Sequence, residues 1–216
     1  MDFLFYLFDL DGTLVDTTEG VIRCIDYALS HFGIRVEDTV PFGYYMGPPL
    51  MESFTKFAHL SEKDARTAID LYRERYDTLG KKECFVPEGI EPLLKALCDK
   101  GKTLAVSTSK LETAAVEVLQ SFGLDGYFAT VSGSDPEEKV SSKEAVIEQA
   151  LDRLGVTDKS KVLMIGDRKY DILGAKKCGI RSLGLYAGAA EPGEMEEAGA
   201  DLVAHSVSEM QALLLQ

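Results

Sequence analysis

Short, bulky apolar runs alternate with segments of helical period along most of this chain. FLFYLF (3–8), TLAVST (103–108), YFATVSG (127–133), KVLMIG (161–166), RSLGLY (181–186) and LVAH (202–205) read as strands. Helical patterns fill the intervals near 89–100, 110–121, 142–154, 168–178 and 207–215. Such alternation predicts an α/β fold, a doubly wound parallel sheet with helices on both faces. Ligands of such sheets gather outside the carboxyl ends of the strands.

Residues 17–83 break that rhythm. Their patterns are helical, at about 19–33, 49–58 and 62–79, and the turn-rich VPFGYYMGPPL (40–50) joins the first to the second. Asp16 followed by Glu19 has the spacing of a capping box for the first of these helices. The expected organisation is therefore a core of residues 1–16 and 84–216 interrupted by an all-helical insertion at 17–83. The chain re-enters the core near FVPEG (85–89).

At 216 residues, with 45% hydrophobic and 27% charged side chains, the chain is long enough to bury a sizeable core. A formal net charge of -13 disfavours nucleic acid and anionic membrane surfaces as partners, since both would be repelled. It also means that an anionic substrate needs a metal or a local lysine to reverse the sign at its site. Cys24, Cys84, Cys98 and Cys178 show no zinc-site spacing, and reduced, mostly buried thiols are expected. The first apolar run ends at Asp9 after six residues, with no basic residue before it. That is too short for a signal peptide or a membrane span, so a cytoplasmic location is expected.

The ends of the strands change the picture. Asp9 and Asp11 follow the first apolar run without a spacer, and Gly12 and Thr13 come next. Two desolvated acids repel one another and raise a pKa, a cost that needs a cation or a reaction to offset it. The strand at 103–108 ends in Ser107, Thr108, Ser109 and Lys110, and that at 161–166 in Gly166 and Asp167, with Asp171 four residues on. If Asp167 caps a helix starting at Arg168, Asp171 lies one turn above it on the same face. Carboxylates from two strand ends converging there require a divalent cation, and oxygen-only ligation selects Mg²⁺ over zinc. Taken alone, Asp167 could equally be a simple cap and Asp171 a solvated acid. Ser141 and Glu144 have capping-box spacing, which puts Lys143 in the first turn of its helix. A cation there opposes the helix dipole by up to about 1 kcal/mol. Lys143 is either a surface lysine tolerating that cost or a ligand for bound phosphate, and Lys139 competes for the same role. A hydroxyl at Thr108 or Ser107 with nearby backbone N–H groups suits a phosphoryl oxygen.

Together these segments resemble the haloacid-dehalogenase superfamily of phosphohydrolases. DLDGTLVD stands for its first motif, VSTSK for the second, Lys143 for the third and GDRKYD for the fourth, in the family's order. The resemblance spans essentially the whole chain, and the helical insertion sits where that family carries a small helical cap. MGPPL (46–50) and GDRKYDILGAKKCGI look most like phosphoglycolate-phosphatase-like members. The resemblance implies a Rossmann-like core with an inserted cap, and Mg²⁺-dependent hydrolysis of a small phosphorylated metabolite. Asp9 would be the nucleophile that forms an aspartyl-phosphate, and Asp11 the general acid and then the general base. Mg²⁺ would be held by the Asp9 carboxylate, the Asp11 backbone carbonyl and Asp167, with Asp171 in support. Thr108, Ser109 and Lys143 would bind the phosphoryl oxygens, and Gly12 would permit close backbone approach. Ser109 stands where many relatives have asparagine.

Other functions share parts of this pattern. A dehalogenase needs no acid for its leaving group, so Asp11 favours phosphoryl chemistry. A sugar-phosphate mutase keeps the same core motifs, and nucleotides and pyrophosphate also suit such a core as substrates. A phospho-acceptor signalling module shares the acids, the hydroxyl and the lysine. Against it stand a nucleophile after the first strand and a helical interruption of the sheet. Cap closure about hinges near 15–17 and 83–87 is expected to exclude water and select the substrate.

Overall fold

The computed structural model describes residues 3–46, 48–136, 140–187 and 190–216. Lys139 lies outside them, as does Gly47 within MGPPL. The chain divides into two compact units, Met1–Val15 with Val86–Gln216, and Asp16–Phe85.

In the first unit, six parallel strands are ordered β3-β2-β1-β4-β5-β6: β1 (Phe5–Phe8), β2 (Thr103–Leu111), β3 (Thr130–Ser134), β4 (Val162–Gly166), β5 (Arg181–Leu185) and β6 (Leu202–Ala204). The chain lays β2 and β3 to one side of β1, then returns to place β4 on its other side. The order therefore reverses at the β1/β4 boundary, the position where doubly wound sheets bind ligands. Register aligns the ends: Phe8 pairs with Val106 on β2 and with Ile165 on β4. The next residues, Asp9, Ser107 and Gly166, thus stand at one level across the three strands. Every residue of β4 is buried, as its unbroken VLMIG requires of a strand covered on both faces.

Helices α4 (Ile90–Asp99), α5 (Glu112–Ser121), α6 (Lys143–Leu154), α7 (Lys169–Cys178), α8 (Glu194–Ala198) and α9 (Val207–Leu214) accompany the sheet, numbered after α1 (Thr18–Ser30), α2 (Leu50–Lys56) and α3 (Glu62–Thr78) of the other unit. Leu7, Ala105 and Met164 pack with Ile147, Ala150 and Leu151 of α6 and Ala175 of α7 in one cluster. Each such burial is worth about 1.5–3 kcal/mol for the larger side chains. The shared cluster sets α6 and α7 side by side, and Gly174 of α7 leaves room for the lysine at the start of α6. A Cβ at Gly174 would fall 2.9 Å from Lys143 Cγ.

Four local expectations are corrected. β2 continues to Leu111, where a helix was expected from 110. Four steps along β2, Ser107 to Leu111, oppose two along β3, Ser132 to Ser134, a bulge that carries Ser109 and Lys110 on the strand. The N-cap of α7 is Arg168, not Asp167. Ser142, not Ser141, caps α6 through the Ala145 N–H. Thr17 is the N-cap of α1; Asp16 accepts from the Thr18 N–H, and Glu19 pairs with Arg23 instead of closing a capping box. Helix α8 was not expected at all. Its five residues are too few to show a period, and Gly193 and Gly199 bracket it in left-handed conformation.

In the second unit, α1 packs on α3 through Cys24, Ile25, Ala28 and Leu29 on one side and Ala65, Ala68, Ile69 and Tyr72 on the other. The unit's two ends, Asp16 and Phe85, exchange backbone hydrogen bonds of 2.8 and 3.1 Å. Among the described residues no helix is long and apolar enough to cross a membrane.

Candidate active site

The ends of β1 and β4 bring Asp9 and Asp167 together. The Asp9 backbone still belongs to the sheet, its N–H donating to the Ile165 carbonyl at 2.8 Å, while its Oδ1 accepts from the Leu10 N–H at 2.8 Å. Asp171, at the third position of α7, accepts from the Arg168 N–H through Oδ2 at 3.1 Å, satisfying an amide left open at the helix start. One carboxylate oxygen from each of Asp9, Asp167 and Asp171 lies within 4.8 Å of the others, and all three residues are buried. Asp167 Oδ1 also accepts from the Thr13 hydroxyl at 3.2 Å.

Lys143 enters this cluster from the start of α6. Its Nζ is 2.9 Å from Asp9 Oδ1 and 2.8 Å from Asp171 Oδ1, and donates to the Ser107 carbonyl at 3.2 Å. Burial works against its charge, but Asp171 and Asp9 outweigh that and hold its pKa above the ordinary lysine value. For Asp171, burial pushes the carboxyl up to about 6; Lys143 pulls against that, and the neighbouring Asp9 adds to it. Three buried carboxylates facing one ammonium leave a formal charge of -2. That surplus, on oxygen donors alone, suits a hard divalent cation.

Gly12 closes one side. Its φ of +81° is left-handed, and a Cβ there would fall 2.6 Å from Asp167 Cγ, so both backbone and space exclude a side chain. Asp11 does not join the cluster. Its carboxylate meets Lys110 Nζ at 2.8 and 2.7 Å, and its side chain is 23% exposed against 10% for Asp9. Thr108 is buried on β2, its Oγ1 accepting from the Lys110 N–H at 3.2 Å, which leaves the hydroxyl proton to donate. Ser109 is half-buried beside it. The buried Ser107 hydroxyl has no hydrogen-bond partner among the described residues.

Sequence reasoning gave no role to Lys110, Thr13 or Glu194. Lys110 was in view within VSTSK, and a strand extended by three residues would have carried it toward Asp11. Glu194, a buried acceptor for Arg168 Nε at 2.9 Å, lies 26 residues on in a helix with no sequence signal.

The chain matches the family of haloacid dehalogenase-like hydrolases over residues 6–185. It is 37% identical over 207 residues, 96% of this chain and 92% of the relative, to a protein of Pseudomonas aeruginosa named 5'-nucleotidase. It is 32% identical over 202 residues, 94% of this chain and 68% of the relative, to the tyrosine-protein kinase PtkA of Mycobacterium tuberculosis. Its fold is similar to that of a predicted phosphatase from Clostridium acetobutylicum, with a TM-score of 0.93 and 38% identity over 100% of this chain and 99% of the other. Relatives with such different names identify a family, not a substrate.

Proposed function

This chain belongs to the haloacid dehalogenase-like hydrolases, and from that premise we propose that it is a Mg²⁺-dependent phosphatase of small phosphomonoesters working through an aspartyl-phosphate. The observation that carries this is the meeting of Asp9, Asp167, Asp171 and Lys143 at the sheet's switch point, with Asp11 two residues from Asp9 on a separate lysine.

Asp9 is the nucleophile. One of its oxygens attacks phosphorus as the bond to the leaving alkoxide breaks. Asp11 protonates that alkoxide, then removes a proton from the water that attacks the phosphoryl group, returning Asp9 and releasing phosphate. Lys143, Thr108 and Ser109 hold phosphoryl oxygens, and Lys143 offsets charge that grows in the transition state. Asp9, Asp167, Asp171 and the Asp11 backbone carbonyl would hold Mg²⁺, which would supply charge neutralisation and orientation of the phosphate. The unit Asp16–Phe85 is proposed to discriminate among substrates.

The test is a screen of phosphate release from nucleoside 5'-monophosphates, 2-phosphoglycolate, sugar phosphates and pyrophosphate, with Mg²⁺ or with a chelator. Nucleoside monophosphates come first because a 37%-identical relative is named for them. Metal-dependent release is expected, with Asp11→Asn lowering kcat by about 10²–10⁴-fold on alkyl phosphates, and with p-nitrophenyl phosphate, whose leaving group needs no proton, giving a burst of p-nitrophenol followed by slow turnover. An isomerised sugar phosphate in place of free phosphate, or release unaffected by chelator, would refute it.

A further inference from the structure

The segment carrying Asp167 and Asp171 is gripped from behind by a carboxylate that belongs to no motif. Glu194, the first residue of α8, is buried and accepts from Arg168 Nε at 2.9 Å and from a second guanidinium nitrogen at 3.4 Å. It also accepts from the backbone N–H of Lys169 at 2.7 Å and of Glu191 at 3.1 Å. Burial works to raise its pKa, yet Arg168 and the two amides hold it below the ordinary range, so it is a charged, fully engaged acceptor. Arg168 is itself buried, stands directly after Asp167, and gives its own N–H to Asp171 Oδ2 at 3.1 Å. Lys169 is the first residue of α7. One carboxylate therefore fixes the side chain of the residue that follows Asp167 and the first amide of the helix that carries Asp171.

We propose that Glu194 is a positioning residue for the divalent cation: by anchoring Arg168 and the start of α7, it aims the Asp167 and Asp171 carboxylates at one point. This rests on the metal reading given above. Outer contacts that orient ligands commonly change metal affinity by about 10–100-fold when removed. Glu194→Gln keeps the volume and an acceptor for the Lys169 N–H but leaves the buried Arg168 guanidinium without its counter-charge. Loss of aim, not loss of fold, is then the expected result.

The test reads metal binding directly, by Mn²⁺ electron paramagnetic resonance and by Mg²⁺ calorimetry on the full chain. Wild type is compared with Glu194→Gln, with Glu194→Asp, which retains the charge opposite Arg168, and with Met195→Ala. Met195 is buried on the same helix and packs at Gly184, so its truncation loosens α8 without touching the carboxylate's partners. The expected result is Mn²⁺ affinity about 10–100-fold weaker in Glu194→Gln, a smaller loss in Glu194→Asp, and Met195→Ala within about twofold of wild type. Should Glu194→Gln fail to fold, Glu194→Asp carries the comparison, and wild-type affinity there overturns the proposal. Wild-type affinity in Glu194→Gln also overturns it, as does an equal loss in Met195→Ala, because a general loosening of α8 would then suffice. No Mn²⁺ binding by the wild type would defeat the metal reading itself, a result distinguishable from both.

Discussion

Two charge networks in this molecule are built on opposite terms. At the ends of β1 and β4, Asp9, Asp167, Asp171 and Lys143 are all buried, and the acids outnumber the lysine. In the unit Asp16–Phe85, Glu83 accepts from Arg75 at 2.8 and 3.1 Å and from Arg23 at 2.7 Å. With Glu19, which also pairs with Arg23, two acids there face two cations, and the Arg23 side chain is 52% exposed. The second network is balanced within itself and opens to solvent at Arg23. The first, counted over its four groups, holds surplus negative charge in a buried position. Stability alone gives no reason to keep such a cluster, since apolar replacements of buried ion pairs are often as stable. The cation and phosphate proposed to bind there would supply such a reason.

That contrast can be broken in a graded way. Asp9→Asn removes the proposed nucleophile, and turnover should fall by at least about 10³-fold, or about 4 kcal/mol of transition-state stabilisation, with an unchanged far-ultraviolet spectrum. A variant within tenfold of wild type would detach chemistry from the cluster. Lys143→Met leaves three buried carboxylates without their ammonium. Unfolding in chelator should be easier by about 3 kcal/mol, lowering Tm by about 6–12 °C, and Mg²⁺ should restore part of it. Gly12→Ala, forced against Asp167 at positive φ, should cost about 2 kcal/mol in denaturant titration.

The smallest effect belongs to the network around Glu83. Arg75, then Arg23, hold the Glu83 carboxyl down at about 2, with burial opposing them. An unfolded glutamate titrates near pH 4.3, so the folded pKa is the lower one. The pairing therefore stabilises fully above about pH 4.3 and loses its contribution as pH falls toward 2. Solvent at Arg23 screens it, and Glu83→Gln should cost under about 1 kcal/mol at pH 7 and nothing near pH 2. A pH-independent difference between the two proteins would remove the ion pair as its cause.

The parts of the sheet that are buried on both faces were legible in the sequence. FYLF and VLMIG can be little else than central parallel strands, and the polar residues that end them are conspicuous for that reason. Asp9 and Asp167 were therefore found by position, and Lys143 by its place in the first turn of a helix. Lys110 was not assigned because the bulge against β3 prolongs β2 past the point where the apolar run stops. The cap of α7 was misplaced by one residue because Asp171, not the residue before the helix, satisfies the open amide. Glu194 had no local signal, since only tertiary packing sets it against Arg168.

The central claim, that Asp9 captures the phosphoryl group, is tested most directly by trapping the phosphoenzyme. Asp11→Asn incubated with Mg²⁺ and p-nitrophenyl phosphate can form the acyl phosphate, because that leaving group departs unprotonated, but lacks the base that hydrolyses it. Acid quench, proteolysis and mass spectrometry should find one added phosphoryl group on the peptide containing Asp9, absent from Asp9→Asn/Asp11→Asn. An unmodified Asp9 peptide from protein that has released p-nitrophenol would contradict it.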